Sequence, residues 1–262
     1  MKISVLSYSF RGLLQSGEMD LFGYLEACRY RYGLALADLW SGHFASTEDD
    51  YVNTVRNALE ERDLSLADLA VDQAHVWDDD PETREGNYAR AKRFLDIAVT
   101  LGSRVMRVDA GSRNESWTSE EFDFIVARYQ EYCQFAQDNG FIVAIENHWG
   151  PERSFENLKA VYEAVDSPAF GVSNHLHGWS GDEAQSSEQD RLVAPWVVHT
   201  HIPWNVCADP SLLEKKLSNL WSVGYEGSYS VEHHSAKDEF TEVGIQLAQV
   251  KDMLDKIRRG VA

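Results

Sequence analysis

The sequence is poor in positive charge and has no long apolar run. Lys and Arg total 24 against 43 Asp and Glu, which gives a formal charge of −19 at pH 7. A surface this acidic repels phosphate backbones, so we expect no nucleic-acid partner. No segment approaches the roughly 18 uninterrupted apolar residues of a membrane span, so we expect no membrane association.

Cysteine is also scarce. Cys28, Cys133 and Cys207 share no metal-binding spacing, and we expect them to be free thiols in a reducing compartment. The segment Met1–Ser7 turns polar too early for a secretory signal peptide, so we expect a cytoplasmic protein. The 262 residues are 44% hydrophobic and contain no linker rich in Pro, Gly or Ser. We therefore expect one domain over residues 1–262 with a full core.

Short apolar runs alternate with helical stretches along the whole chain. Eight runs predict β-strands, at Lys2–Leu6, Leu34–Trp40, Leu69–His75, Arg104–Asp109, Phe141–Glu146, Ala169–Asn174, Trp196–His201 and Ser228–Glu232. Helices are predicted between them, with a capping box at Thr118-x-x-Glu121 for one of them. The alternation indicates a parallel sheet. Eight units in about 260 residues favour an α/β fold with a single (β/α)8 TIM barrel over an open doubly wound sheet.

Histidines are concentrated in the second half of the chain. Seven of the nine lie between residues 148 and 234, at or just past the ends of predicted strands five to eight. Catalytic groups of barrel enzymes lie at these carboxyl ends. Because strand side chains alternate between faces, each of the four strands points two polar groups inward. The predicted inward groups near the mouth are Glu146, His148, His175, His177, His199, His201, Glu232 and His234.

Acids and imidazoles that meet in one mouth are costly to bury unless they are paired or bind a metal. The mixed donor set suits Mn²⁺, Fe²⁺, Co²⁺, Ni²⁺ or Zn²⁺ better than Ca²⁺ or Mg²⁺. We therefore expect one divalent metal ion, with Mn²⁺ as the first choice.

Several motifs resemble the xylose-isomerase-like superfamily of sugar isomerases and epimerases. They are Ile145–Gly150 (IENHWG), the His199-x-His201 pair, Val231-Glu232, and the helix end before Arg104–Asp109. The resemblance covers nearly the whole chain and implies one metal held by Glu, Asp, His and Glu from strands five to eight. It makes Glu146, His201 and Glu232 the first, third and fourth ligands, and it makes Glu146 and Glu232 the acid/base pair.

The second ligand departs from the family pattern. Members usually carry an aspartate four residues after a glycine, whereas here Gly171 leads to His175, and Gly178 replaces the usual downstream histidine. Asn174 is the rival, but strand alternation points it toward the helices, so we predict His175. A shell of two Glu and two His has no net charge with M²⁺, whereas the usual shell has about −1. The metal would be a stronger Lewis acid as a result.

Further residues are candidates for substrate contacts. His148 lies one strand repeat beyond Glu146 and could shuttle protons near pH 7. His177, His199 and His234 are candidates for substrate contacts or for support of the ligands, with a structural role as the alternative. Three tryptophans follow strands five to seven and could form an apolar platform for a sugar or an aromatic aglycone, or else pack under loops. They are Trp149, Trp179 and Trp204.

The resemblance implies an enzyme that enolises a keto-sugar as an isomerase or epimerase. The alternative is a lyase, such as the catalytic α subunit of a C-glycoside deglycosidase acting on 3-keto-glycosides of aromatic aglycones, or a dehydratase acting on a keto-inositol or dehydroshikimate. No Lys/Arg cluster follows strands seven and eight, so we expect a non-phosphorylated carbohydrate or glycoside substrate. A DNA-repair endonuclease shares the superfamily fold but is disfavoured by the charge. A homo-oligomer, a complex with a smaller β subunit and a subunit with a relict site stay open.

Overall fold

The computed structural model describes residues 1–261 as one parallel barrel. Its eight strands are β1 Ile3–Val5, β2 Leu36–Trp40, β3 Ser65–Val71, β4 Val105–Val108, β5 Ile142–Glu146, β6 Phe170–His175, β7 Val197–Pro203 and β8 Ser228–Glu232. Each strand pairs in parallel with the next in sequence from β2 to β8, and β8 pairs with β1. A parallel bridge between Leu6 and Asp38 closes the ring. The predicted (β/α)8 barrel is confirmed.

Ten α-helices lie among the described residues and surround the strands. They are α1 Arg11–Ser16, α2 Leu21–Glu26, α3 Asp49–Glu61, α4 Pro81–Leu101, α5 Ser119–Asn139, α6 Phe155–Val165, α7 Glu183–Val193, α8 Trp204–Ala208, α9 Pro210–Ser222 and α10 Glu239–Arg259. The predicted capping box is present at α5, where Thr118 and Glu121 bond each other's backbone N–H groups. None of the helices in residues 1–261 is long and apolar enough to cross a bilayer.

The third strand differs from the prediction. It begins at Ser65 and ends at Val71, whereas the sequence predicts Leu69–His75. The prediction is wrong because Asp68 interrupts the apolar run, although its side chain is completely buried inside the barrel. Gln73 and His75 therefore lie beyond the strand, in the loop above its carboxyl end. This places them on the side of the barrel where the polar residues of the other strands meet.

The main core lies between the barrel and the helices. Tyr129 of α5 packs against Phe170 of β6 with ring centroids 4.9 Å apart, and its hydroxyl donates to the carbonyl of Val108 at 2.7 Å. Tyr162 of α6 stacks on Trp196, with ring centroids 4.6 Å apart. Outward residues such as Phe170 are thus large and apolar, and most polar residues of the same strands face the barrel axis, with Asn174 as an exception.

Candidate active site

The carboxyl ends of β5, β6, β7 and β8 bring four ligand-type side chains together. One ligand atom of each lies within 4.8 Å of the others, and the four residues are Glu146, His175, His201 and Glu232. Strand register explains the convergence, because His175 is the Cα partner of His201 across β6 and β7. Three of the four are buried, and His175 is partly open to the mouth.

The separations between these atoms fit a shared ion. His175 Nδ1 lies 3.5 Å from Glu146 Oε1 and 3.3 Å from Glu232 Oε2, while His201 Nδ1 lies 3.8 Å from Glu232 Oε2. Ligands about 2.0–2.3 Å from a tetrahedral metal are roughly 3.3–3.8 Å apart. Glu232 Oε2 is buried without a hydrogen-bond partner, as expected of an atom that faces an ion. The donor set therefore fits a divalent metal.

One pair in the cluster is at hydrogen-bond distance. His201 Nδ1 and Glu146 Oε1 are 2.6 Å apart. A metal that binds these two atoms would therefore compete with the proton that lies between them. Burial alone would lower the pKa of His201, but the carboxylates of Glu146 and Glu232 raise it to about 10. Burial opposes ionisation of Glu232, but His201 and the neighbouring histidines lower its pKa to about 2. Strong pKa shifts that neighbouring groups impose on one another are typical of functional sites.

Arg107 of β4 supports the cluster from the side. Its buried guanidinium lies 3.0 Å from Glu146 Oε2, from Asp109 Oδ2 and from Asp72 Oδ1. This fixes one oxygen of Glu146 and leaves the other facing the histidines. Arg107 and Asp109 were not among the predicted site residues, although Arg107 interrupts the otherwise apolar run of β4 and Asp109 directly follows that strand. A charged residue in such a run was the available signal.

His148 lies at the rim of the site, as its position beyond Glu146 predicts. Its Nδ1 is 3.1 Å from Asp109 Oδ2, and its side chain is 40% exposed. Burial would lower the pKa of His148, but Asp109 and Glu146 raise it to about 9. Trp149 donates from Nε1 to the same Asp109 oxygen at 3.1 Å. A cavity of about 250 Å³ opens beside them and is lined by Val71, Asp72, Gln73, His75, Asp109, His148 and Trp149.

His234 stands on the opposite side of the mouth. Its Nε2 is 2.9 Å from Glu232 Oε1, and its ring is nearly parallel to that of His175, with centroids 5.8 Å apart. The ring of His148 is also nearly parallel to that of His175, with ring centroids 6.5 Å apart. Tyr8 contacts His234 edge-on at 5.7 Å. Three imidazoles therefore form a row across the opening, with His175 in the middle.

Two of the other predicted substrate contacts, His199 and Trp179, are buried. His199 is 0% exposed and lies one strand repeat below His201, with ring centroids 5.2 Å apart. Trp179 is buried and donates from Nε1 to Asp190 Oδ1 at 2.8 Å, so it packs under its loop. Trp204 is 37% exposed and contacts the ring of His233.

The end of β6 separates the two candidates for the second ligand. Asn174 donates from Nδ2 to Asp190 Oδ1 at 3.0 Å on the helical side, whereas His175 lies among the carboxylates. Strand alternation stops at His175, because His177 has a left-handed backbone (φ 67°) and its N–H bonds Asp190. Strand alternation therefore gives no support for the prediction that His177 points inward, because the strand ends before this residue.

Comparison with known proteins agrees with this architecture. The family model described as a xylose isomerase-like TIM barrel matches residues 30–205. The chain belongs to this family. No curated protein sequence matches the chain.

Solved structures of the same architecture cover almost the entire chain. D-allulose 3-epimerase from Methylomonas sp. has a TM-score of 0.77 at 15% identity, covering 97% of this chain and 98% of its own. A xylose isomerase-like TIM barrel protein from Mycobacterium smegmatis, in complex with magnesium, has a TM-score of 0.73 at 16% identity (100% and 98% covered). The probable 3-DHS dehydratase AsbF from Bacillus anthracis has a TM-score of 0.71 at 15% identity (97% and 99%). At these identities the likeness establishes the fold.

Proposed function

We propose that this protein is a divalent-metal-dependent enzyme that enolises a keto-sugar or related carbohydrate, acting as an isomerase or epimerase. The observation that carries the proposal is the cluster of two carboxylates and two imidazoles at the mouth of the barrel. Membership of the family and structural likeness to a D-allulose 3-epimerase support a carbohydrate substrate.

Glu146, His175, His201 and Glu232 would hold the metal, which we expect to be Mn²⁺, with Co²⁺, Fe²⁺, Ni²⁺ or Zn²⁺ as alternatives. When bound, such an ion supplies a Lewis acid that polarises a carbonyl and offsets the negative charge of an enolate. The two imidazole ligands leave this shell without net charge, which strengthens that effect.

The two carboxylates are arranged to move protons. Glu232 directs Oε2 to the histidines and holds Oε1 near the mouth, 2.9 Å from His234. Glu146 directs Oε1 to the histidines and keeps Oε2 against Arg107. One carboxylate takes a proton from the carbon beside the substrate carbonyl, and the other returns a proton to the enolate. If the proton returns to the opposite face of the same carbon, the product is the epimer, with no net gain or loss of atoms.

One observation favours the lyase alternative. His148 is held by Asp109 at the rim, 3.9 Å from Glu146 Oε2, where it could give a proton to a leaving group. The likeness to a probable dehydratase agrees with such a reaction. The leaving group would be water, or an aromatic aglycone if the chain acts as the α subunit of a C-glycoside deglycosidase.

The proposal is tested by product analysis. Metal-loaded protein is incubated with ketopentoses, ketohexoses and a 3-keto aryl C-glycoside, with and without a candidate small β subunit, and products are identified by chromatography and NMR. Formation of an epimer or isomer supports the proposal. Loss of water or release of the aglycone would assign the lyase reaction instead, and no turnover with any metal would indicate a relict site.

A further inference from the structure

The barrel interior directly below the active-site cluster is unusually polar. TIM-barrel interiors are normally filled by layers of branched apolar side chains. Here the inward positions of five strands carry polar residues that are completely buried, namely Asp38, Asp68, Ser173, His199 and Ser230. Buried polar atoms are expected to have hydrogen-bond partners or to bind water or an ion.

Most of the charged and imidazole atoms in this layer have no such partner. Both carboxylate oxygens of Asp68, both ring nitrogens of His199 and Nε2 of His201 are buried without a hydrogen bond. Oδ2 of Asp38 accepts from the Ser230 hydroxyl, whereas its Oδ1 is unpartnered. A carboxylate is costly to ionise inside a protein, and burial raises the pKa of Asp68 to about 8, so a cation beside it would favour its charged form.

The distances between these atoms suit a shared ion better than hydrogen bonds. His201 Nε2 lies 3.9 Å from Asp68 Oδ2, and His199 Nε2 lies 3.7 Å from Asp38 Oδ2. Both separations exceed the range of a hydrogen bond. The separation between His201 and Asp68 lies just above the spacing of roughly 3.3–3.8 Å between two ligands of one tetrahedral metal. One ligand atom from each of Asp68, His199 and His201 lies within 4.8 Å of the others.

We propose that the barrel interior holds a second divalent cation, bound by Asp68, His199 and His201. A carboxylate with two imidazoles is a donor set for Zn²⁺, Co²⁺ or a similar transition metal. Asp38 lies beside this site and adds a second negative charge that favours a cation there.

His201 connects the two metal sites. Its Nδ1 faces Glu146 in the mouth at 2.6 Å, and its Nε2 faces Asp68 in the interior. If both sites were filled, each ring nitrogen would give up its proton to solvent and would offer its lone pair to one ion. The interior ion is sealed from solvent, so it is expected to exchange slowly and to survive a chelator treatment that empties the mouth.

Anomalous diffraction from wild-type crystals tests this directly. The protein is produced in cobalt-supplemented medium and crystallised, and data are collected above and below the cobalt edge. We expect two anomalous peaks on opposite sides of the His201 ring. A single peak at the mouth, with ordered waters between Asp68 and His199, would overturn the proposal. This experiment needs no variant, so it decides the question even if interior substitutions do not fold.

Metal content provides a second test. Elemental analysis should give two cobalt ions per wild-type chain and one after chelation. Asp68→Asn and His199→Leu should each hold one ion before chelation. Ser173→Ala changes the same buried layer without removing a proposed ligand, and should keep two. Two ions in both ligand variants would refute the site. Because neither test measures turnover, its outcome is independent of whether the enzyme proves to be an epimerase.

Discussion

Lys216 and Asp190 form an ion pair that is completely enclosed between α7, α9 and the loop after β6. Lys216 Nζ lies 2.5 Å from Asp190 Oδ2, and both side chains are buried. The same carboxylate accepts hydrogen bonds from Asn174, Trp179 and the backbone of His177. The pair therefore anchors the chain on both sides of the position that carries the predicted second ligand.

Loss of the cation from this pair should be strongly destabilising. Lys216→Met leaves Asp190 buried with its neutral donors alone, and we expect the free energy of unfolding to fall by about 3–5 kcal/mol. The neighbouring Lys215, whose side chain is 53% exposed, is the matched control. Lys215→Met should change stability by no more than about 0.5 kcal/mol. Urea unfolding of both variants checks this, and equal effects would show that burial of the pair has no special role.

Metal binding should stabilise the fold. The four proposed ligands come from four strands, so an ion that joins them would bind the folded state and not the unfolded chain. At a free Mn²⁺ concentration 100 times its Kd, the expected gain is about 2.7 kcal/mol. The measurement compares the Tm of chelator-treated protein before and after Mn²⁺ is added. His175→Ala should lose most of the increase, and an unchanged Tm in the wild-type protein would argue against a metal at this site.

His43 should make the protein sensitive to acid. Its ring is buried between Tyr24 and Trp40, and neither ring nitrogen has a hydrogen-bond partner. Burial lowers the pKa of His43 to about 4 from an ordinary value of 6.5. Between these values the unfolded chain binds a proton that the folded chain does not, so stability falls as the pH drops from 6.5 to 4.

A substitution isolates this contribution. His43→Phe removes the titrating group, and its stability relative to wild type should rise by about 3 kcal/mol as the pH falls from 7 to 4. Denaturation of chelated protein at several pH values measures the difference and avoids changes in metal occupancy. A difference that stays constant with pH would mean that the folded protein protonates His43 normally.

His148 distinguishes the epimerase from the lyase. Since His148 is not one of the four predicted ligands, His148→Ala should keep its metal by elemental analysis. Epimerisation should lose little kcat, because Glu146 and Glu232 carry the protons. A loss of about 10²–10⁴ in rate would instead identify a positioned proton donor, as a lyase requires. His75→Ala changes another histidine that lines the same cavity and controls for the loss of an imidazole near the mouth. Loss of metal together with activity would mean that His148 supports a ligand.

Much of the fold follows from local pattern. The bounds of β8 are as predicted. The capping box and Asn139-Gly140 predict a helix over Glu120–Asp138, and α5 extends one residue beyond that range at each end. The sequence analysis missed α1 and α8, which have six and five residues and are too short to show helical periodicity. It displaced β3 because an interior aspartate resembles an end of strand when only hydrophobicity is considered.

The site could be predicted as far as strand alternation extends. Alternation on β5 to β8 predicts eight inward polar residues, and the four that the structure brings together are among them. It gives no information after a strand ends, so the orientations of His177 and Trp179 depend on Asp190, a residue from a different helix. Alternation also does not predict how deep along the barrel axis a side chain lies. His199 and His201 point the same way, but one is enclosed in the interior and the other reaches the ligand cluster.

The central claim is that the carboxylates of the cluster remove a proton from the carbon beside a keto-sugar carbonyl. Deuterium incorporation in D₂O, followed by NMR on the substrate that the product screen identifies, measures this step directly. Metal-loaded wild-type protein should introduce deuterium at that carbon, and Glu232→Gln, which removes a ligand charge and a base, should do so at least about 10² times more slowly while remaining folded. Turnover without any exchange, or undiminished exchange in Glu232→Gln, would contradict the account.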